Sequence, residues 1–154
     1  MSQSRQFCTF RLDGHFLGVE VERVQEVIRF QEMTPVPLAG AAVSGLINLR
    51  GQIVTALDLR RCLGLPARAE GRAPMNVVVR SGGRAVSLLV DEIGDVLDVP
   101  EGDFEQPPTT IGKVDRKLFT GVYKLEHELL LVLDTDKAVT SGISPVTNEK
   151  TAWV

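Results

Sequence analysis

An internal repeat limits the folds open to this sequence. Residues 45–58 (GLINLRGQIVTALD) return in degenerate form at residues 121–134, with both ends of the match at one offset. Such a match within a chain of 154 residues predicts two copies of one structural unit. Arg50-Gly51 occurs only in the first copy, and this difference indicates where something beyond folding is required.

Turn and capping signals extend the repeat. Asp13-Gly14 and Gly82-Gly83, each flanked by apolar alternation, are typical of two-residue hairpin turns. Each copy ends in an aspartate suited to a helix N-cap, followed by a short helix pattern at residues 58–63 and 134–139. The pattern predicts an all-β protein, with two packed small antiparallel barrels and short connecting helices.

The repeat also predicts the domain boundaries. Subdomain 1 covers about residues 6–66 and subdomain 2 about residues 75–139, joined through the linker 64–74, and residues 140–154 are expected to form a flexible tail. A unit of about 60 residues buries only roughly 60% of its extended-chain surface, so the two units should pack together. Residues 129–133 are apolar on both strand faces and suit that seam.

Composition argues against several function classes. The net charge is −3 and no basic run exceeds Arg60-Arg61, so nucleic acid is not an expected partner. No apolar run approaches the roughly 20 residues that cross a bilayer, and no signal peptide is evident. We therefore expect a cytoplasmic protein without membrane insertion. Cys8 and Cys62 lack metal or redox spacing and are interpreted as small buried hydrophobes.

Residues that could carry catalysis are few. His15 and His127 are isolated at predicted turns, and no nucleophile elbow, phosphate-binding loop or metal motif is present in the sequence. The acidic residues show no spacing that selects a converging pair, so exposed strand edges are the favoured interpretation. These carboxylates are Glu20, Glu22, Glu26, Asp91, Glu92 and Asp95. The sequence predicts no enzyme activity, no cofactor and no metal.

A binding module remains, and Arg50 is its first candidate residue. Arg50 is either a solvated turn arginine or the partner of Glu26, which follows the second strand of the same copy. If the pair is partly buried, removing one partner would cost about 3 to 5 kcal/mol, whereas an exposed pair would contribute little. We expect contact between the two side chains under the second hypothesis.

Taken together, these motifs resemble those of the CheW-type chemotaxis coupling proteins over about residues 6–139. The block NLRG at residues 48–51 is the most specific of several linked motifs. The others are Phe10, Asp13, Gly14 and Gly18; residues 24–28 (VQEVI); residues 35–37 (PVP); residues 45–47, Ile53, Asp58 and Leu59; Val90, Asp91, Ile93 and residues 95–97; and residues 118–121 leading to residues 130–134.

The resemblance implies two five-stranded SH3-like β-barrel subdomains and no enzymatic activity. It implies an adaptor that bridges the cytoplasmic tips of methyl-accepting chemotaxis receptors to the regulatory domain of a CheA-type histidine kinase, recruited to membrane-associated receptor arrays. The positions that match coupling residues of the family are Val24, Glu26, Gly45, Leu49, Arg50, Ile53 and Ile93. Core packing is the favoured interpretation of Leu49, and a receptor-binding apolar groove stays open for Val24, Ile53 and Ile93.

Two further points follow from the resemblance. The loop at residues 105–111 matches the family's array-contact region, although its residues depart from the commoner pattern. Alternative interpretations are a coupling module of a related pathway for surface motility or development, and a separated regulatory domain of a kinase or CheV-like protein. All of these need the same folded adaptor.

Overall fold

The computed structural model describes residues 4–108 and 116–143, most of which form β-strands. Two short α-helices, α1 (Leu59–Cys62) and α2 (Thr135–Ile143), follow the last strand of each repeat. The strands are β1 (Ser4–Leu12), β2 (His15–Glu20), β3 (Val24–Ile28), β4 (Val43–Leu49), β5 (Gln52–Asp58), β6 (Met75–Ser81), β7 (Arg84–Val90), β8 (Glu92–Pro100), β9 (Phe104–Glu105), β10 (Phe119–Lys124) and β11 (Leu129–Leu133).

Both predicted hairpin turns are confirmed. Asp13 and Gly14 have φ of 48° and 80° between β1 and β2, and Gly82 and Gly83 have φ of 61° and 79° between β6 and β7. Positive φ at both central positions gives the turn a twist that matches the flanking strands, which is why these residue pairs occur there.

The predicted helix caps are confirmed as well. The Asp58 carboxylate accepts a hydrogen bond from the Arg60 amide at 3.1 Å, and that of Asp134 accepts one from the Lys137 amide at 3.1 Å. Helix α2 runs to Ile143, so residues 140–143, predicted to begin a flexible tail, are helical. Residues 144–154 of that predicted tail lie outside the described part of the chain.

The strands form two sheets, and each sheet draws on both halves of the sequence. Their orders are β8-β1-β2-β11-β10-β9 and β3-β6-β7-β5-β4. Parallel pairing joins β2 to β11 and β5 to β7. The hairpin β1-β2 therefore lies in the sheet that also holds β8 to β11, and the hairpin β6-β7 lies in the sheet that also holds β3, β4 and β5. The strands of each sheet therefore come from both predicted subdomains, residues 6–66 and 75–139.

Contacts between edge elements curl each sheet into a barrel. In the five-stranded sheet, the segment after β3 reaches the opposite edge, where Thr34 and Leu46 of β4 exchange two backbone hydrogen bonds of 2.8 Å. In the six-stranded sheet, edge strands β8 and β9 are joined by a single turn of 3₁₀ helix. The predicted architecture of two SH3-like barrels is confirmed, with the two-residue strand β9 adding a sixth strand to one of them.

Three apolar clusters of the described residues explain how the barrels hold together. Ile47, Val54 and Val78 belong to the interior of the five-stranded barrel, and Phe7 and Tyr123 to that of the six-stranded barrel. A larger third cluster takes side chains from both sheets and both helices and forms the seam between the barrels.

Strand β11 supplies two of these clusters at once. Leu130 and Val132 pack inside the six-stranded barrel, whereas Leu131 and Leu133 point into the seam. Successive side chains of a strand face opposite sides, so burial on both sides requires a continuous apolar run. The prediction that residues 129–133 serve the seam is confirmed, although Leu129 itself keeps 38% exposure.

Candidate functional site

A charged pair spans the two edges of the five-stranded barrel. The Arg50 guanidinium, in the turn between β4 and β5, donates a hydrogen bond to the Glu26 carboxylate on β3. The Arg50 side chain is 74% exposed and that of Glu26 only 18%. The predicted contact between the two residues is confirmed. The cation is presented to solvent, whereas the carboxylate that holds it is largely covered.

The NLRG block builds the turn that presents this cation. Arg50 and Gly51 have φ of 50° and 90°, so the hairpin reverses through two positive-φ residues. The Asn48 side chain accepts a hydrogen bond from the Gly51 amide at 2.8 Å and fixes the turn. Asn48 and Gly51 therefore have conformational roles, and Arg50 is the member of the block that presents a charged side chain to solvent.

Two neighbouring residues extend the charged pair into a polar row. The Gln25 amide donates to the Glu26 carboxylate at 3.4 Å, and Arg80 of β6 donates to the Gln25 side-chain oxygen at 3.1 Å. Arg80 was not among the residues predicted from the sequence. The signal that would have found it is the pairing of β3 with β6, which the repeat alone does not reveal.

Gly45 and Leu49, also matched to coupling, lie beneath this surface on β4. A Cβ on Gly45 would stand 2.7 Å from the Thr34 carbonyl oxygen, so only glycine lets the segment after β3 approach. Leu49 retains 7% exposure and packs inside the barrel. The interpretation of Leu49 as a core residue is confirmed.

The three remaining apolar positions divide between the hairpin and the seam. Ile53 is 62% exposed on β5, directly opposite Asn48, so it stands beside the Arg50 turn. Val24 on β3 and Ile93 on β8 come from different sheets, and both pack partly buried against the seam cluster. The structure thus brings Glu26, Arg50 and Ile53 onto one barrel and places Val24 and Ile93 where the two barrels meet.

Asp91 corrects one expectation from the sequence. It was predicted to lie on an exposed edge, but its side chain is 8% exposed at the corner between β7 and β8. Its carboxylate accepts hydrogen bonds from Arg60 at 2.6 and 3.0 Å, from Arg68 at 2.9 Å and from the Asp13 amide at 2.8 Å.

This network determines how Asp91 titrates. Desolvation pushes the pKa of Asp91 upward, but the hydrogen bonds from Arg60, the Asp13 amide and Arg68 outweigh it and hold the pKa at about 2. Arg60 also donates to the Pro66 carbonyl at 2.9 Å. The ionised carboxylate therefore ties the linker to the barrels, which is a structural role.

The cysteines and histidines considered from the sequence do not form a common site within the described residues. Cys8 and Cys62 are both free thiols, and burial raises the pKa of Cys62 to about 12. The His127 side chain is 86% exposed. Within residues 4–108 and 116–143, the structure holds no group of three or more His, Cys, Asp or Glu side chains that could bind a metal ion. Over the same residues, no helix combines the length and apolar character needed to cross a bilayer.

Comparison with protein families shows to which family the chain belongs. The family model described as CheW-like domain matches residues 6–142. The chain belongs to the CheW-like family. This membership confirms the resemblance drawn from the NLRG block and the linked motifs, and it confirms the prediction of a chemotaxis adaptor of the CheW type.

Individual CheW relatives cover most of the chain. The chemotaxis protein CheW of Rhizobium meliloti is 29% identical over 137 residues, which are 89% of this chain and 88% of the relative. That of Thermotoga maritima is 30% identical over 131 residues, which are 85% of each chain. The crystal structure of the scaffolding protein TtCheW from Thermoanaerobacter tengcongensis matches with a TM-score of 0.80 and 24% identity, covering 88% of this chain and 92% of that one. This last comparison supports the fold.

Proposed function

We propose that this CheW-like chain couples the cytoplasmic tips of methyl-accepting chemotaxis receptors to the regulatory domain of a CheA-type histidine kinase. It acts without catalysis, as a scaffold that holds the two partners together in the cytoplasm at membrane-associated receptor arrays. The observation that carries the proposal is the Arg50 turn, an exposed cation fixed in position on a fold of this family.

The surface around that turn has the composition of a binding site. Arg50 and Ile53 lie on the same hairpin, one offering a 74% exposed guanidinium and the other a 62% exposed aliphatic side chain. Arginine is enriched at protein interfaces because it combines charge with a flat apolar face. Glu26 restricts the motion of the guanidinium, which reduces the entropy that a partner must remove on binding.

Val24 and Ile93 suit a different contact. Both are partly buried against the seam cluster, one from each sheet, so an apolar partner that reached them would contact both barrels. A helical receptor tip needs an apolar groove of that kind. We assign the receptor to Val24 and Ile93 at the seam and the kinase to the Arg50 hairpin.

Array contacts through residues 105–111 remain part of the proposal. Glu105 ends β9 and pairs with Lys124 of β10 at 3.3 Å, whereas residues 109–111 lie outside the described part of the chain. A contact made through one short loop is weak by itself and becomes effective when many copies are held together in an array.

Co-sedimentation with receptor-containing membranes and purified kinase tests the proposal. The unmodified chain should bring kinase into the pellet, and Arg50→Ala should bring less while receptor binding is retained. Arg72→Ala removes an exposed arginine from the linker and is the matched control, which should behave as the unmodified chain. Absence of both receptor and kinase from complexes with the unmodified chain would contradict the adaptor function.

A further inference from the structure

Two hairpin turns project from the same end of the five-stranded barrel. Strands β5 and β7 are parallel, and Thr55 lies level with Val86 in their register. Extended back to the start of both strands, that register places the turn at residues 50–51 beside the turn at residues 82–83. A partner that covers the Arg50 turn at this end therefore reaches the turn between β6 and β7 as well.

Arg80 presents a second exposed guanidinium at this end of the barrel. It lies two residues after Val78 on the same side of β6, and Val78 packs inside the barrel. It also stands opposite Ala85 of β7, another interior residue. The Arg80 side chain is nevertheless exposed, because β6 ends one residue later at Ser81. Arg80 therefore leaves the interior side of the sheet at the end of the barrel, where it donates to the Gly83 carbonyl of the turn at 3.4 Å.

The polar row that joins Arg50 to Arg80 carries an unbalanced positive charge. Its two arginines flank the single carboxylate of Glu26 and the neutral side chain of Gln25. Among the ion pairs within residues 4–108 and 116–143, Arg50 has one, with Glu26, and Arg80 has none. Arg80 donates instead to the neutral oxygens of Gln25 and Gly83, at 3.1 and 3.4 Å. These contacts orient its guanidinium without neutralising it.

This surplus of positive charge selects an acidic partner. The whole chain has a net charge of −3, so an exposed cationic surplus is a local feature of the surface. Guanidinium groups bind carboxylates through paired, charge-assisted hydrogen bonds. Two arginines are too few for a nucleic acid, whose binding depends on many phosphate contacts. A protein surface that carries carboxylates is the ligand that fits.

We propose that Arg80 acts with Arg50 to bind an acidic surface segment on the regulatory domain of the kinase. The inference rests on the function proposed above and gives the chemistry of the kinase surface that meets the Arg50 hairpin. Continuity supports this partner, because both arginines project from one end of one barrel. The receptor is assigned to Val24 and Ile93 at the seam, where an apolar partner fits and a cationic row is not needed.

Two substitutions at Arg80 test whether its charge contacts the kinase. Arg80→Gln removes the charge and should raise the Kd for the regulatory domain about threefold to tenfold at low salt. Arg80→Glu reverses the charge and should raise the Kd further, roughly tenfold to a hundredfold, because like charges then face each other. Tm should stay within about 2 °C of the unmodified chain in both variants, since Arg80 is an exposed side chain.

Arg84 supplies the matched control from the same hairpin. It is exposed and stands opposite Ser81, whose hydroxyl donates to Asp136 of α2. Its side chain therefore lies on the other side of the sheet from that of Arg80. Arg84→Gln and Arg84→Glu make the same changes in net charge and should leave the Kd for the regulatory domain within about twofold of the unmodified value.

The measurement is the Kd of each full-length variant for the purified regulatory domain at about 0.1 M and about 1 M salt, with Tm from thermal unfolding. The effect of Arg80→Gln should shrink to less than about twofold at the higher salt, because screening weakens exposed charge contacts. Receptor binding by co-sedimentation should be unchanged in every variant.

Four results would overturn the inference and leave the proposed function intact. They are an unchanged Kd for Arg80→Gln, equal losses at Arg80 and Arg84, a loss at Arg80 that is the same at both salt concentrations, and a loss of receptor binding with kinase binding retained. Failure of the unmodified chain to bind the regulatory domain would overturn the proposed function and this inference together.

Discussion

Arg50 donates a hydrogen bond to Glu26 although the two residues belong to elements at opposite edges of the five-stranded sheet. Arg50→Ala should lower the free energy of unfolding by no more than about 1 kcal/mol, because the cation is 74% exposed and such pairs contribute little. Urea denaturation checks this value, with Arg72→Ala as the control. A loss of several kcal/mol would show that Arg50 is chiefly structural.

Exchanging the two charges tests whether Arg50 contacts a partner directly or only holds Glu26 in place. The double variant Glu26→Arg with Arg50→Glu keeps an opposite-charge pair, so its free energy of unfolding should stay within about 1 kcal/mol of the unmodified chain. Kinase binding should remain impaired, since the exposed member is now an anion. Titration with the regulatory domain measures this, and full recovery of affinity would mean that only the pairing matters.

Asp91 should be the most sensitive carboxylate for stability. Asp91→Asn removes the nearest counter-charge of Arg60 and Arg68 and leaves them only the more distant carboxylates of Asp13, 3.7 Å from Arg60, and Asp58, 3.6 Å from Arg68. The free energy of unfolding should fall by about 3 kcal/mol. Its neighbour Glu92 is exposed, so Glu92→Gln should change stability by less than about 0.5 kcal/mol. Denaturant titration of both variants tests the contrast, and equal effects at the two positions would refute it.

The same carboxylate predicts an acid dependence. The pKa of Asp91 is lowered from 3.8 to about 2 in the folded chain, so its stabilisation is complete above the unfolded pKa and is lost as the pH falls through the folded one. The loss between pH 4 and 2 should amount to about 2 kcal/mol. Asp91→Asn should lack this component of the pH profile, and an unchanged slope in that variant would count against the account.

Gly45 should affect both the packing of the loop after β3 and the binding of the kinase. Gly45→Ala places a methyl group 2.7 Å from the Thr34 carbonyl oxygen, which forces the loop after β3 to move. We expect a destabilisation of about 1 to 3 kcal/mol and weaker kinase binding. A Cβ on Gly102 would meet no atom within 4 Å, so Gly102→Ala is the matched control and should leave both quantities unchanged. Equal kinase affinity for both alanine variants would separate Gly45 from coupling.

Local signals account for much of what the sequence could predict. Turn type, N-caps and strand burial depend on neighbouring residues, so Asp13-Gly14, Asp58 and residues 129–133 were predicted correctly. The contact between Glu26 and Arg50 was one of two interpretations of Arg50, and it was available because the repeat placed both residues in one structural unit.

Long-range pairing escaped prediction. The parallel ladder between β2 and β11 joins residues more than a hundred positions apart, and no local pattern encodes that exchange of hairpins. Asp91 looked exposed beside Glu92 because its cationic partners Arg60 and Arg68 lie far away in the sequence, on helix α1 and in the linker. The positive φ of Leu38 was missed because leucine is rarely found in that conformation.

Receptor-dependent autophosphorylation of the kinase, reconstituted with and without this chain, tests the central claim most directly. The unmodified chain should make the rate depend on receptors, Arg72→Ala should do the same, and Arg50→Ala should remain folded but lose most of the effect. A phosphorylation rate that responds to receptors equally well without the chain would contradict the account.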